Sequence, residues 1–309
     1  MRFATVQLGG RAHLGLVDGE QVFLFAPLAR QVARPKARGA QRGVRADVPD
    51  DLLSFIQRGA LGQARRALAL GRRLHREGKT RDIALPLGKA KLLAPIPRPT
   101  KNIFCLGRNY AEHARERGNP VPTVPIYFTK APTSVVGPEA PVIHHAVTRQ
   151  LDYEVELAVI VGKRGRDIAP ERALDHVFGY TIINDISARD LQQQHGQYFK
   201  GKSLDTFAPM GPVVVHRSLI PNPQALTMRL RVNGEQRQYA STGSMVFPIA
   251  DLLSTLSAGL TLEPGDIIAT GTPEGVAMGM TPQRWLKAGD VVEAEIEGIG
   301  VLRNRIVAP

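Results

Sequence analysis

The chain opens on alternating apolar and polar positions, RFATVQL and then HLGLVDGEQVFLF, with Asp18-Gly19 between two apolar runs. Successive side chains of a strand point to opposite faces, so this alternation predicts a small β start, and the Asp-Gly pair predicts a hairpin turn. After Asp50-Asp51 the period changes. In LLSFIQRGALGQARRALALGRRL, leucine and alanine recur at helical spacing, with Asp50 as the candidate helix cap. The proline-rich stretch ALPLGKAKLLAPIPRPTKN then separates this helical segment from a new apolar strand, NIFCLG. It places a boundary near residue 98, giving a small N-terminal domain over 1–98 and a main domain over 99–309.

In the main domain, strands are expected at VELAVIVG, GYTIIND, GPVVV, LTMRLRVNGEQRQ with a turn at Asn233-Gly234, DIIATG, and DVVEAEIEGIGVLRNRIV. Helices are expected at YAEHARERG, APERALDHV and PIADLLSTLSAG. Strands and helices do not alternate strictly, which argues against a doubly wound nucleotide-binding sheet and for an α+β fold. No internal repeat is visible.

Composition narrows the class. A chain of 309 residues can bury a large core, and 43% hydrophobic with 22% charged residues is ordinary for a globular protein. No apolar run is long enough to span a bilayer, and the first residues lack the apolar segment and small-residue cleavage site of a signal peptide, so no membrane association and a cytoplasmic location are expected. Cys105 is the single cysteine, which rules out an internal disulfide and a thiolate-based metal site. Any metal must use oxygen or nitrogen ligands. The formal charge of +12 raises the question of nucleic acid. Much of that charge lies between Arg30 and Arg81, in QVARPKARGAQRGVR and QARRALALGRRLHREGKTR, with few aromatic residues interleaved to stack on bases. A solvated arginine-rich face and no nucleic-acid partner are therefore expected.

The candidate chemistry begins in LDYEVELAVIVG. Strand periodicity puts Asp152, Glu154 and Glu156 on one face and Tyr153, Val155 and Leu157 on the other. Like charges this close repel, and the apolar AVIVG that follows points to the interior, where unpaired carboxylates are costly. A second apolar strand, GYTIIND, ends on Asp185. Three oxygen donors with no thiol and no nearby histidine pair suit a hard cation, Mg²⁺ before Mn²⁺ or Ca²⁺. From spacing alone the competing explanation stands beside this one: the acids could face solvent on an edge strand and pair with some of the many arginines. A further motif, GQYFKGKS over Gly196 to Ser203, matches the G-x-x-x-x-G-K-[ST] pattern of a phosphate-binding loop. Its context argues against that reading. It follows the polar ARDLQQQH rather than a buried strand, leads into proline rather than a helix, and carries bulky Tyr198 and Phe199 where a phosphate needs close backbone approach.

Several separated motifs then agree in order: GRNYAEHARERG, LDYEVELAVIVG, NDISARDLQ, KGKSLDTFAPMGP, GDIIATGTPEGV and AGDVVEAEIEGIG. Over roughly residues 100 to 307 the chain resembles the fumarylacetoacetate hydrolase family. The resemblance implies a mixed β-sheet roll of that family's C-terminal type with a small N-terminal α/β domain, and a homodimer. It implies a divalent metal on Glu154, Glu156 and Asp185, with Asp152 in support. It carries the catalytic pair of a lid helix onto His113 and Glu116, a charge stabiliser onto Lys202, and substrate contacts onto Gln192 and Thr272. Each residue type suits its role. Glu116 lies one helical turn from His113 and can orient its ring. Lys202 can hold developing negative charge, and Thr272 can offer its hydroxyl or nearby backbone N–H groups to a carboxylate. The implied function is hydrolysis of a C–C bond in an acylpyruvate-like (2,4-dioxo or 2-oxo) acid through a metal-stabilised enolate, with a small-molecule 2-oxo acid as partner. The alternatives on the same scaffold are an oxaloacetate-type decarboxylase and a 2-hydroxyhepta-2,4-diene-1,7-dioate-type isomerase.

Overall fold

Every residue of the strand Val155–Val161 and of its antiparallel partner Val177–Asn184 is buried. Near-continuous apolar runs of this kind suit strands covered on both faces. The computed structural model describes residues 1–33, 47–116 and 118–309. Most of the expected basic loop QVARPKARGAQRGVR lies outside the described residues, as does one position of the expected helix YAEHARERG.

The central pair belongs to a large mixed sheet. Its order runs Ala84–Pro86, Gln21–Leu24, Arg11–Asp18, Arg2–Leu8, Ala208–His216, Val177–Asn184, Val155–Val161, Ile267–Ala269, Ile103–Gly107 and Ile126–Lys130. Most neighbours are antiparallel, but Ile267–Ala269 runs parallel to Ile103–Gly107. A second sheet runs Glu235–Ser241, Thr227–Val232, Val291–Ile296, Gly300–Val307 and Pro141–Ile143. The alternation predicted for its strands appears as strict alternation of buried and half-buried positions in Thr227–Val232 and Val291–Ile296.

The two faces of Val155–Val161 enter two cores. Val155, Leu157 and Val159 pack in the cluster that holds Met228, Leu230, Val292 and Ile296 of the second sheet. Ala158 and Ile160 pack in the cluster that holds Phe3, Phe55, Ala64 and Leu68, where the N-terminal helices lie. The α+β, sheet-rich architecture expected from the sequence is the one observed. The sheet also runs across the expected division near residue 98, because Arg2–Leu8 pairs with Ala208–His216, with Arg2 opposite Val215. The first third of the chain therefore covers one face of the central strands and extends their sheet.

Local boundaries differ from the pattern in three places. Asp51, not Asp50, caps the helix Leu52–Gln57, its carboxylate accepting from the Ser54 N–H at 2.8 Å. A side chain reaches the N–H three residues ahead of it, and Asp50 is instead held by the His13 ring at 2.8 Å. The expected single helix is two, Leu52–Gln57 and Leu61–Arg76, broken at Gly59 with its φ of +61°. The expected helix at APERALDHV is one turn, Pro170–Ala173, continued as a 3₁₀ turn, Leu174–His176. Among the described residues no helix is long and apolar enough to cross a membrane.

Candidate active site and metal centre

The segment expected as one strand is interrupted at Tyr153 and Glu154, and this interruption builds the site. Leu151–Asp152 pairs with Ser187–Ala188, while Val155–Val161 pairs with Val177–Asn184. Between them the Glu154 N–H donates to Asn184 Oδ1 at 3.0 Å and the Asp185 N–H donates to the Glu154 carbonyl at 2.8 Å. Asp185 is thereby locked beside Glu154 and Glu156, and one carboxylate oxygen from each of the three lies within 4.8 Å of the others. All three side chains are buried. Asp152 does not join them. It accepts from the backbone N–H groups of Tyr153 and Ala277, both at 2.8 Å, and of Met278 at 3.1 Å, and pairs with Arg189 at 2.9 Å.

Three buried cations answer this charge. Arg189 spans Asp152, Glu154 and the Gln192 side-chain oxygen. The Lys202 ammonium bridges Glu154 Oε2 at 2.7 Å and Asp185 Oδ2 at 2.8 Å. Lys130 donates to Asp185 Oδ1 at 2.5 Å and to the Ile186 carbonyl at 3.1 Å. Burial alone would raise the Glu154 carboxyl, but Arg189 and Lys202 outweigh it and hold the group below the usual carboxylate range. Glu156 behaves in the opposite way. Burial, then the negative charges of Asp185 and Glu154, push it well above the usual range. Its Oε2 accepts the Gly271 N–H at 2.9 Å, while its buried Oε1 has no hydrogen-bond partner. An orphaned carboxylate oxygen among three convergent acids is what a divalent cation would satisfy, and the all-oxygen donor set fits a hard one. Lys202 already engages one oxygen each of Glu154 and Asp185, so such a cation would share those carboxylates with the ammonium.

The short helix Ala111–Glu116 closes one side. His113 Nδ1 lies 2.7 Å from Glu116 Oε1, and the other Glu116 oxygen accepts the Gly275 N–H at 2.9 Å. Glu116 is thus fixed from behind and orients a buried imidazole. His113, Glu154, Gln192, Lys202 and Thr272 line one narrow cavity, together with Arg108. Another part of its lining depends on a close helix contact: a Cβ on Gly201 would come within 2.6 Å of the Gln192 backbone nitrogen and 2.7 Å of the Ala188 carbonyl. Without a side chain there, the turn Phe199–Lys202 packs against Arg189–Gln194 and delivers Lys202 to the acids.

Residues 102–307 match the family model described as "Fumarylacetoacetate (FAA) hydrolase C-terminal". The chain belongs to the fumarylacetoacetate hydrolase family. A curated relative in Bacillus subtilis, oxaloacetate tautomerase YisK, is 46% identical over 99% of this chain and 100% of its own length. A solved fumarylacetoacetate hydrolase from Exiguobacterium antarcticum is 40% identical, superposes with a TM-score of 0.79, and covers 100% of both chains. The solved 2-hydroxyhepta-2,4-diene-1,7-dioate isomerase from Mycobacterium marinum is 28% identical with a TM-score of 0.71, over 100% of this chain and 98% of that one.

As a member of the fumarylacetoacetate hydrolase family the protein is an enzyme, and its site can be compared with the residues singled out in the sequence. His113, Glu116, Glu154, Glu156, Asp185, Gln192, Lys202 and Thr272 converge on one region. The Thr272 hydroxyl donates to the Val155 carbonyl at 2.9 Å and accepts from the Gln238 amide at 2.9 Å, so it ties its turn to the central strand rather than presenting its proton to the cavity. The phosphate-loop pattern is also absorbed: Phe199–Lys202 is a single helical turn, and its lysine is held by two carboxylates. Sequence reading passed over Lys130, Arg189 and Gln238. Arg189 sits inside the NDISARDLQ motif and Lys130 ends the strand Ile126–Lys130. The signal that could have found them is countercharge, since four buried acids demand buried bases.

Proposed function

We propose that the protein is a divalent-metal-dependent tautomerase of 2-oxo acids, interconverting the keto and enol forms of oxaloacetate. The observation that carries the choice of reaction is the 46% identity, end to end, with the Bacillus subtilis oxaloacetate tautomerase. The buried triad with its orphaned Glu156 oxygen supports the metal requirement, and Mg²⁺ suits an all-oxygen site. A cation held by Glu154, Glu156 and Asp185 would supply the positive charge that acidifies the carbon beside a 2-oxo group. In the keto-to-enol direction the His113 imidazole takes a proton from that carbon and the 2-oxo oxygen gains one. In the reverse direction the imidazolium returns a proton to carbon as the enol oxygen gives up its own. With Nδ1 turned to Glu116, its Nε2 is the nitrogen left to face the substrate, and the Glu116 carboxylate stabilises the ring when it is protonated. Gln192, oriented by Arg189, and Lys202, oriented by Glu154 and Asp185, stabilise the oxygen on which negative charge develops.

Hydrolysis of an acylpyruvate, the expectation drawn from the motifs, would use the same pair to activate water, and the likeness to the Exiguobacterium antarcticum hydrolase supports it as the second reading. One experiment separates them. The purified protein with Mg²⁺ is given enol-oxaloacetate, acetylpyruvate and fumarylpyruvate while enol absorbance and released acid are both followed. Tautomerase activity appears as loss of enol absorbance faster than the buffer rate with no acid released and no CO₂ evolved, and it vanishes with EDTA. Cleavage of either acylpyruvate at a higher kcat/KM would replace the tautomerase assignment by the hydrolytic one.

A further inference from the structure

Three cationic side chains line the cavity beside His113: Arg189, Lys202 and Arg108. The first two are already matched, Arg189 by Asp152 and Glu154, and Lys202 by Glu154 and Asp185. Arg108 forms no ion pair among the described residues. Its Nη1 reaches the Asn119 side-chain oxygen at 3.3 Å, and its Nε is buried with no hydrogen-bond partner. A guanidinium N–H withdrawn from water and left without an acceptor is unfavourable, and its planar fork is shaped for a carboxylate.

The backbone shows that this placement is built. Arg108 has a φ of +56°, in the left-handed region that non-glycine residues avoid. Its neighbour Asn109 holds it there. The Asn109 side chain accepts the Phe247 N–H at 2.9 Å and donates to the Thr270 carbonyl at 2.8 Å and the Phe247 carbonyl at 3.2 Å, while its own carbonyl accepts the Val246 N–H at 2.8 Å. A strained conformation pinned from several directions is the kind of position that serves a ligand.

We propose that Arg108 receives the second carboxylate of a dicarboxylic 2-oxo acid and is the residue that makes the site selective for diacids. The assignment rests on the reading that the acidic triad and its cation take the 2-oxo acid end of the substrate. With that end at the triad, the far carboxylate is the one group of such a substrate still lacking a countercharge, and Arg108 is the one cation lining the cavity whose charge the described residues leave unmatched.

Oxaloacetate and its 4-methyl ester share the 2-oxo acid end and differ in the far charge, so the change in their ratio of kcat/KM from native protein to variant reads this contact, the intrinsic difference in reactivity cancelling. The ratio is measured on the full chain with Mg²⁺ for the native protein, Arg108→Gln and Arg108→Lys. The native protein is expected to prefer the diacid, Arg108→Gln to reduce that preference about a hundredfold, and Arg108→Lys to fall between, since it keeps the charge and loses the fork. A ratio that stays the same, with both compounds slowed alike or neither, overturns the proposal. Lysine meets the same backbone strain as arginine, so if Arg108→Gln does not fold, the Arg108→Lys ratio decides. If the native protein tautomerises neither compound, the proposed reaction fails by itself. The ratio is then read as Kd by calorimetry: an Arg108-dependent preference for the diacid sustains the assignment, and its absence ends it.

Discussion

Replacing Glu156 by glutamine removes one negative charge from the triad without changing its shape. In the metal-free protein this is expected to stabilise the fold. Carboxylate oxygens within 4.8 Å of one another repel by about 3 kcal/mol per pair at an effective dielectric constant near 20. Glu156 faces two such neighbours, Asp185 and Glu154, and Lys202 offsets part of their effect. The net relief is on the order of 3 kcal/mol. A glutamine also keeps the Gly271 N–H bond through its oxygen and places its NH₂ at the position of Oε1, which has no hydrogen-bond partner. For a chain of 309 residues the unfolding entropy is about 0.6 kcal/mol per kelvin, so Tm should rise by about 5 °C. The pH dependence carries the sign. The Glu156 carboxyl is raised in the folded protein, so its protonated form is favoured there. The associated stability is present below the unfolded carboxyl value and is lost as pH rises through the higher folded value. Glutamine does not titrate. Scanning calorimetry in EDTA should therefore show the variant ahead at pH 8 and the advantage shrinking toward pH 5. Adding Mg²⁺ should raise Tm of the native protein more than that of the variant. A variant less stable than the native protein in EDTA at pH 8, or a difference independent of pH, would refute the electrostatic account of this site.

Other outcomes follow from the same geometry. Glu116→Gln should lower kcat by roughly a hundredfold or more with little change in KM, because it removes the charge that supports protonated His113; kcat against pH for the variant checks this. Arg189→Met should leave Asp152 without a cation and Glu154 with Lys202 alone, and cost about 3 kcal/mol, read as a lower urea midpoint. Gly201→Ala should lower Tm and push the turn carrying Lys202 away from the acids, since its Cβ would lie 2.6 Å from the Gln192 backbone nitrogen; kcat lost at temperatures well below the variant's Tm would confirm a positioning effect, and native kcat would refute it.

Read alone, the chain already specified its central strands, because seven or eight consecutive buried positions leave an unmistakable apolar run in Val155–Val161 and Val177–Asn184. It specified the three acids too, through the two-residue spacing of Glu154 and Glu156 and the placement of Asp185 at a strand end, and the ordered motifs pointed to the family. Local periodicity could not say that Asp152 turns away from the triad. That depends on the interruption at Tyr153 and Glu154, where one stretch of chain pairs with two different partners. Nor could it supply the counterions. Lys130 meets Asp185 across 55 residues and Arg189 meets Glu154 across 35, contacts created by the order of strands in the sheet. The same holds for Thr272, whose hydroxyl is claimed by a carbonyl 117 residues away. Residue type and spacing determined which groups carry charge. Only the folded sheet decided which charges meet, and so that Glu156 was left with an unpartnered oxygen and Arg108, in the cavity lining, with an unpartnered N–H.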